Sequence, residues 1–497
     1  MKNVCFWSVF LAFHVATSIH AEAFWPQFRG PNGAGVAPHA TPPSRFDRST
    51  NLLWSTPVPP GHSSPIVWNG HIFLTAIAED KLLTLCVDRR TGKELWRRIA
   101  PASKLETTHE FSNPAASTPV TDGEHVYVYF GSCGLLAYDF SGEQIWTHPL
   151  PILPNRYGTA TSPIVVGDRV ILQRDGDSPD CEVLALDVKT GHTAWSAKRP
   201  GFSSAWSTPM LWAHDQQTEL ILNGTPAVVA YDGQTGAERW RVPGSSFAPQ
   251  TVAVTGDGLL FAHCSGTGDP ADRPKPLSWQ EFATQHNSDP AQAIDLKKIP
   301  DSEALHLRPE VSKDLPGNYQ KLRDMLTWFA DQNHDGLISK EEYEGFVRVG
   351  NENANKVMAI RAGAHDNAGA SQIAWTATRG VSELPSPLFY GGRLWFVRNG
   401  GMVSSFEPRS GRLIINRERL GPAGQYVASP VGANGCIYAV SEGGVFTVFR
   451  PSDHLEIIAT NELHERVLAT PALVGSTLIA RTTQNLYAFG SKNIGAE

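Results

Sequence analysis

The densest chemical signal in the chain lies near its middle. Asp331, Asn333 and Asp335 alternate with other residues, Gly336 follows, and Glu342 closes the run. This D-x-[DN]-x-[DN]-G-x5-E spacing is that of a calcium loop. The side chains of Asp331, Asn333 and Asp335 would supply oxygens, and Gly336 would permit the sharp turn. Leu337 would offer its carbonyl, Ser339 would act through a water, and Glu342 would bind with both carboxylate oxygens. A second, looser set consists of His62, His109, Glu110, Asn113, Arg156, Tyr157, Trp206, Gln250, Glu383, Tyr426 and Arg466. They mix aromatics, charges and amides, as a polar ligand or peptide site does. No Ser/His/Asp or paired-carboxylate arrangement is readable along the chain, so the catalytic residues, if any, are unassigned.

The calcium loop needs helices on both sides. Leu322, Met325, Leu326 and Phe329 fall at i, i+3, i+4 and i+7 of an entering helix, and Tyr343, Phe346 and Val347 give the exiting helix an apolar face. The whole reads as an EF-hand. EF-hands pair through loop position eight, here Ile338. Upstream, Ser278-Trp-Gln-Glu281 is a capping box that opens a helix. Aligning Ile294 with Ile338 puts Asn287, Asp289 and Asp295 at positions one, three and nine, with Gln292 in place of the glycine and Lys298 in place of the last glutamate. That describes either a degenerate partner loop or an ordinary capped helix and loop.

The second set depends on a repeat. Cys86-Val-Asp88 to Trp96, Ala185-Leu-Asp187 to Trp195 and Ala230-Tyr-Asp232 to Trp240 align without gaps as x-x-D-x-x-T-G-x-x-x-W. Ala137-Tyr-Asp139 to Trp146 is one residue shorter, Phe406 to Ile415 replaces the tryptophan, and Phe449 to Ile458 keeps only the spacing. Each is a strand, a tight turn and a strand, with Asp and Thr bonding turn backbone and Gly taking positive φ. Before each, Pro65, Pro119, Pro163, Pro387, Pro430 and Pro471 follow Ser or Thr and open an apolar strand, as Pro209 does with a longer turn. Four short antiparallel strands per unit, repeated about eight times with the Gln250 region counted as one unit, predict an all-β, eight-bladed β-propeller. The last unit lacks its fourth strand. Leu52-Leu-Trp54-Ser-Thr-Pro-Val58 fits as that strand and would close the ring. Tryptophan at the end of a fourth strand would fill the wedge between blades.

The fifth unit is interrupted between Leu259–His263 and Lys356–Ile360. The expected organisation is a signal peptide at 1–23, a lead-in at 24–50, propeller at 51–265, the EF-hand insertion at 266–350, propeller at 351–490 and a tail at 491–497. Loops that enter the innermost strands gather at one mouth of the channel. The residues of the second set precede those strands and are expected to line that mouth.

These A-x-D-x-x-x-G-x-x-x-W segments resemble the tryptophan-docking repeat of PQQ-like (quinoprotein-type) β-propellers, over roughly residues 50–265 and 351–490. The opening Trp25-Pro-Gln-Phe-Arg-Gly-Pro-Asn-Gly-Ala-Gly-Val36 resembles the lead-in of exported PQQ-like repeat proteins. The resemblance implies one of two activities. Quinoprotein dehydrogenases hold pyrroloquinoline quinone and a calcium ion in the channel. The propeller of the outer-membrane barrel-assembly machinery is a non-enzymatic protein-binding scaffold. The dehydrogenase branch commonly carries an adjacent-cysteine disulfide and in some members a C-x-x-C-H haem motif, and this sequence has neither. The favoured reading is therefore a non-enzymatic binding or scaffold protein with calcium in its EF-hand. Its partner would be an unknown protein, peptide or glycan at the channel mouth. A PQQ-dependent oxidoreductase is the alternative.

Lys2, the apolar run Val4–Ala16 and Ala21-Glu22-Ala23 predict an export signal cleaved after Ala21 or Ala23, for the periplasm or the medium. No later apolar run is long enough to span a bilayer. Cys5 leaves with the signal. Cys86, Cys133, Cys181, Cys264 and Cys436 are an odd number without C-x-x-C spacing, expected as buried small hydrophobes. Across 497 residues, 42 basic against 49 acidic side chains give a net charge of −7, which argues against sequence-blind nucleic-acid binding.

Overall fold

The computed structural model describes residues 24–109, 111–246, 249–266, 275–306, 319–331, 333–363 and 369–491. The expected signal segment, Glu110 and all but the first residue of the tail lie outside them. Eight four-stranded antiparallel sheets form an eight-bladed propeller. In chain order the blades span 66–99, 120–149, 164–198, 210–243, 254–264 with 356–377, 388–419, 431–462 and 472–490. The eighth blade is completed by Leu52–Pro57, which pairs antiparallel with Asn485–Gly490. One blade thus uses both halves of the chain, and no outer sheet edge is left open by the ends of the repeat.

Two side-chain rules repeat around the ring. The first is tryptophan docking. Trp96 donates its indole N–H to the Phe140 carbonyl, Trp146 to that of Val188, and Trp375 to that of Pro408, at 2.8–2.9 Å. Each ring also lies flat on the turn glycine of the next blade. A Cβ built on Gly142, Gly191 or Gly411 would sit 2.5–2.7 Å from the tryptophan ring, and all three glycines have positive φ. Glycine is therefore required twice over, for its backbone and for the approach of the indole. Trp54 docks on Gly92 of the first blade in the same way.

The second rule explains the Ser/Thr before each opening proline. Ser64 N–H donates to Thr118 Oγ1, Thr118 to Ser162, and Ser162 to Thr208. Val252 N–H donates to Ser386 Oγ, Ser386 to Ser429, Ser429 to Thr470, and Thr470 back to Ser64, so the bonds run 2.9–3.2 Å around the channel. Each buried backbone N–H at the head of an innermost strand is satisfied by the next blade's hydroxyl. The series breaks between the fourth and fifth blades, where Val252 stands in the hydroxyl position.

Residues 24–42 are not a passive leader. Phe24–Trp25 pairs with Val67 and Trp68, and Val36–Ala37 pairs with Gly432 and Ala433. These are the far ends of innermost strands, so the segment lies inside the ring, opposite the strand-entry loops. Between these contacts Pro26 accepts from Thr121 N–H in the second blade. Asn32 exchanges two hydrogen bonds with the Leu211 backbone in the fourth, at 2.7 and 2.8 Å. Arg29 donates to the Pro387 carbonyl in the sixth blade, and Thr41 N–H to Gly475 in the eighth. The segment forms a floor across the channel.

Between Leu259–Cys264 and Lys356–Arg361 of the fifth blade stand three helices, α1 (Trp279–Gln285), α2 (Leu322–Phe329) and α3 (Lys340–Glu352). They share a small core of Trp279, Phe282, Ile294, Leu322, Leu326, Ile338 and Tyr343, separate from the blades. Phe329, expected on the apolar face of α2, is instead 47% exposed, and Trp328 beside it is 73% exposed. Both lie at the helix end, beyond the reach of this core. Cys86, Cys181, Cys264 and Cys436 are buried free thiols, and Cys133 is half-buried.

Candidate functional site

The strand-entry loops and the turns between second and third strands share one face by antiparallel topology. Backbone bonds tie them in pairs. Glu442 N–H donates to Gln425 O, Val467 N–H to Glu442 O, and Thr483 N–H to Arg466 O. Here Phe111, Gln425, Glu442, Gly443, His464, Glu465 and Arg466 enclose a concavity of about 410 Å³. Arg466 alone of the expected mouth residues lines it. Its Nε lies 2.5 Å from Glu442 Oε1. Glu465 accepts from Arg48, Thr482, Asn485 and Tyr487, and these partners hold its carboxyl below the usual range against burial, which raises it.

His109, Tyr157 and Trp206 form a continuous aromatic row from the second to the fourth blade. His109 lies 5.2 Å from Tyr157, and Tyr157 lies 5.4 Å from Trp206. Phe111 extends the row at 4.9 Å from His109 and reaches the concavity. Trp206 is fixed by its indole bond to the Gly158 carbonyl and Tyr157 by its N–H to Asn155, while Phe111 and Tyr157 remain exposed. Arg156 is exposed beside Tyr157, and its N–H is held by Asp177.

Other expected mouth residues do structural work. Asn113 accepts from Ala115 N–H and shapes the loop into the second blade. Gln250 is half-buried next to Pro249, which accepts from Trp206 N–H. Glu383 accepts from Asn399 N–H and lies 3.4 Å from the buried Arg398. Tyr426 does not line the mouth. It is fully buried in the core between the sixth and seventh blades, with its N–H bonded to Asn399 Oδ1. Position before an opening proline fixes the loop but not the direction of the ring.

His62 sits half-buried near Arg481 and Arg466. Burial and then these two guanidinium groups push its pKa down to about 4, so it is neutral at pH 7. Arg481 is itself wholly buried and donates to Ser63 and Thr75 carbonyls at 2.9 and 2.8 Å. It clamps the loop into the first blade.

In the inserted module, Asp331 accepts from the N–H groups of Asp335 and Gly336, and Asn333 Oδ1 accepts from Asp335 N–H. Asp335 accepts from Leu337 N–H at 2.8 Å. Ile338 pairs with Ile294 and Leu337 with Asp295 in a two-residue antiparallel bridge. Ser339 caps α3, and the Glu342 carboxylate accepts from Ser339 N–H and Oγ at 2.9 and 2.8 Å. Among the described residues no three carboxylates, imidazoles or thiols are already gathered at metal-binding distance. In the loop, the outlier is Glu342, turned toward its own helix cap.

A quinone cofactor of the resembled dehydrogenases would bring a calcium ion into the lumen and need oxygen donors converging there. Carboxylates on this face have partners of their own, Glu442 in Arg466, Glu465 in Arg48, Thr482, Asn485 and Tyr487, and Glu383 in Asn399 N–H, and residues 24–42 lie across the far end. Among the described residues no such set of three carboxylate donors is gathered.

Phe111, Gln425, Glu442, His464 and Glu465 escaped the sequence reading. The Glu442-Gly-Gly turn was the available signal, because turns between second and third strands must share the mouth face.

The family model described as outer membrane protein assembly factor BamB matches residues 79–258, from the first blade into the fifth. No curated protein matches the sequence. BamB from Moraxella catarrhalis aligns over 90% of this chain and 99% of its own, at 11% identity and a TM-score of 0.53. Quinohemoprotein alcohol dehydrogenase from Comamonas testosteroni aligns over 96% and 82%, at 11% identity and 0.52. Quinohemoprotein alcohol dehydrogenase ADHIIG from Pseudomonas putida HK5 aligns over 95% and 81%, at 11% identity and 0.56. At such identities these structures share the fold alone. No helix among the described residues is long and apolar enough to cross a membrane. The docked tryptophans and the eight closed blades make this chain an eight-bladed β-propeller of PQQ-like form, with the family match running over residues 79–258.

Proposed function

We propose that this is an exported binding propeller that takes a protein, peptide or glycan on its mouth face, and that its inserted module is an EF-hand that binds calcium. The carrying observation is the row Phe111–His109–Tyr157–Trp206 leading into a charged concavity. Exposed, backbone-fixed aromatic rings offer large contact area at low entropic cost, and the Glu442–Arg466 pair and Glu465 at its end supply polar selection. Export follows from the N-terminal signal pattern, and the name of the BamB neighbour is consistent with a protein partner. For calcium, the support is the full ligand spacing, a Gly336 at φ +77° with open space around it, and the bridge through Ile338. Binding would require Glu342 to exchange its Ser339 bonds for the ion.

The test is affinity capture from an envelope or culture fraction with wild type and with Tyr157→Ala/Phe111→Ala, which leaves the blades intact. A partner retained by wild type and lost by the variant supports the reading. Equal capture by both, or turnover of alcohols by the pure protein with added quinone and calcium, overturns it.

A further inference from the structure

The opening segment that resembles other lead-ins contains one residue that the propeller does not need for closure. Arg29 is wholly buried, at 0% exposure, with its backbone at φ +61°. Its Nη2 donates to the Pro387 carbonyl at 2.7 Å, at the mouth-side start of the sixth blade's innermost strand. Its Nε and Nη1 are buried and meet no acceptor among the described residues. Gly35 has φ +74°, and a Cβ there would lie 2.7 Å from Nη2, so the chain passes close to the guanidinium in a conformation that favours glycine. Trp25, in the same segment, carries a further buried N–H with no acceptor.

This arginine differs from the other buried ones. Arg199 is paired with Asp175 at 2.8 Å, Arg174 with Glu182 at 2.5 Å and Arg398 with Glu383 at 3.4 Å, and Arg481 is wrapped by carbonyls. Arg29 has one carbonyl at short range and no carboxylate. A buried charge without a counter-charge is among the most costly features a fold can carry. Water would satisfy the free N–H groups but leave the charge uncompensated, whereas an anion answers both.

We propose that the channel floor is an anion site, in which Nε and Nη1 of Arg29 hold a small monovalent anion, a halide or a carboxylate, inside the lumen. The site stands independently of what binds at the mouth. It also gives a reason for the Trp25-to-Val36 segment to be built as it is. The glycines let the chain fold around the guanidinium, and the strand pairings at 24–25 and 36–37 fix both ends of that fold to the ring.

The test uses the full chain at constant ionic strength. Thermal unfolding in chloride, bromide or formate is compared with gluconate, a much larger anion of the same charge. A saturable rise of roughly 2 °C or more with the small anions is expected, and none in Arg29→Met. Chloride and formate arms separate a halide site from a carboxylate site. Crystals soaked in bromide should show an anomalous peak at hydrogen-bond distance from Nε or Nη1, and this measurement decides the matter even if Arg29→Met does not fold. A midpoint that ignores anion identity, with no anomalous peak beside Arg29, overturns the proposal.

Discussion

The ring and the module inserted in its fifth blade solve the same problem with opposite means. Each blade leans on the next through two contacts repeated at the seams, a docked indole from its outermost strand and a hydroxyl-to-backbone bond at the head of its innermost strand. Losing one contact leaves the others in place. The module has a single small core around Trp279, Phe282, Leu326, Ile338 and Tyr343, and an acidic loop whose carboxylates face their own backbone. The ring is therefore expected to be stable by geometry, and the module to depend on what its loop binds.

The sharpest way to break that contrast is to remove a docked tryptophan. Trp146 is 7% exposed, bonds Val188 O and covers Gly191. Trp146→Ala should cost about 3–5 kcal/mol, as large-to-small aromatic truncations in cores do. Denaturant unfolding followed by blade fluorescence measures it. A loss below about 1 kcal/mol would mean that strand pairing alone holds the seam.

Acid should act on the ring as well. His263 is fully buried, with Nε2 3.0 Å from the Ser382 carbonyl, and burial lowers its pKa to about 4, partly offset by that carbonyl. The folded imidazole is neutral while the unfolded one takes a proton near its ordinary pKa of about 6.5. Its contribution is fully present above about pH 6.5 and is lost as pH falls toward 4, roughly 3 kcal/mol in all. His263→Gln should flatten the stability profile between pH 6.5 and 4.5. An unchanged slope would assign acid sensitivity elsewhere, with His62 the next group to substitute.

Calcium separates the two regions directly. Ligand-linked stabilisation is about 2.7 kcal/mol at a hundredfold excess over Kd, and only the element that binds the ion gains it. Chelation should raise protease cutting between residues 266 and 350 and leave the blades intact. Glu342→Gln should behave like chelated wild type, since it weakens the last ligand. Identical cutting of wild type and Glu342→Gln, each with calcium and with chelator, would remove calcium from the account of this module.

The parts of the molecule legible in the sequence are those whose spacing is fixed by a repeating contact. Trp96, Trp146 and Trp195 stand out because an indole must meet a turn one blade away, and the chain length between them hardly varies. Ser or Thr before proline was visible too, although its bond to the next blade was not. The mouth was legible only in part. Its loops differ in length, so no spacing tells that Tyr426 turns into the core while Phe111 turns out. Arg29 was illegible for another reason. Its burial is created by ring closure, from contacts with residues more than three hundred positions away, and nothing local to Trp25–Val36 encodes them.

The smallest expected effect tests the repeated contact itself. Ser162→Ala would strip the acceptor from the buried Thr118 N–H, which should cost about 1–3 kcal/mol. At the one broken joint the logic reverses. Val252 occupies the hydroxyl position facing Thr208, is fully buried, and packs in the core shared by the fourth and fifth blades. Replacing a buried valine by threonine ordinarily costs on the order of 1–3 kcal/mol, because the hydroxyl loses water. Here Val252→Thr would restore the acceptor that every other joint has, and the bond returns about 1 kcal/mol. The second term offsets about 1 kcal/mol of the first, so the substitution should cost about 0–2 kcal/mol in denaturant melts, about 1 kcal/mol less than the same change at Val228, which is also fully buried and in the same core but lacks a waiting N–H of this kind. Equal losses at 252 and 228 would show that the hydroxyl series follows the blades without holding them.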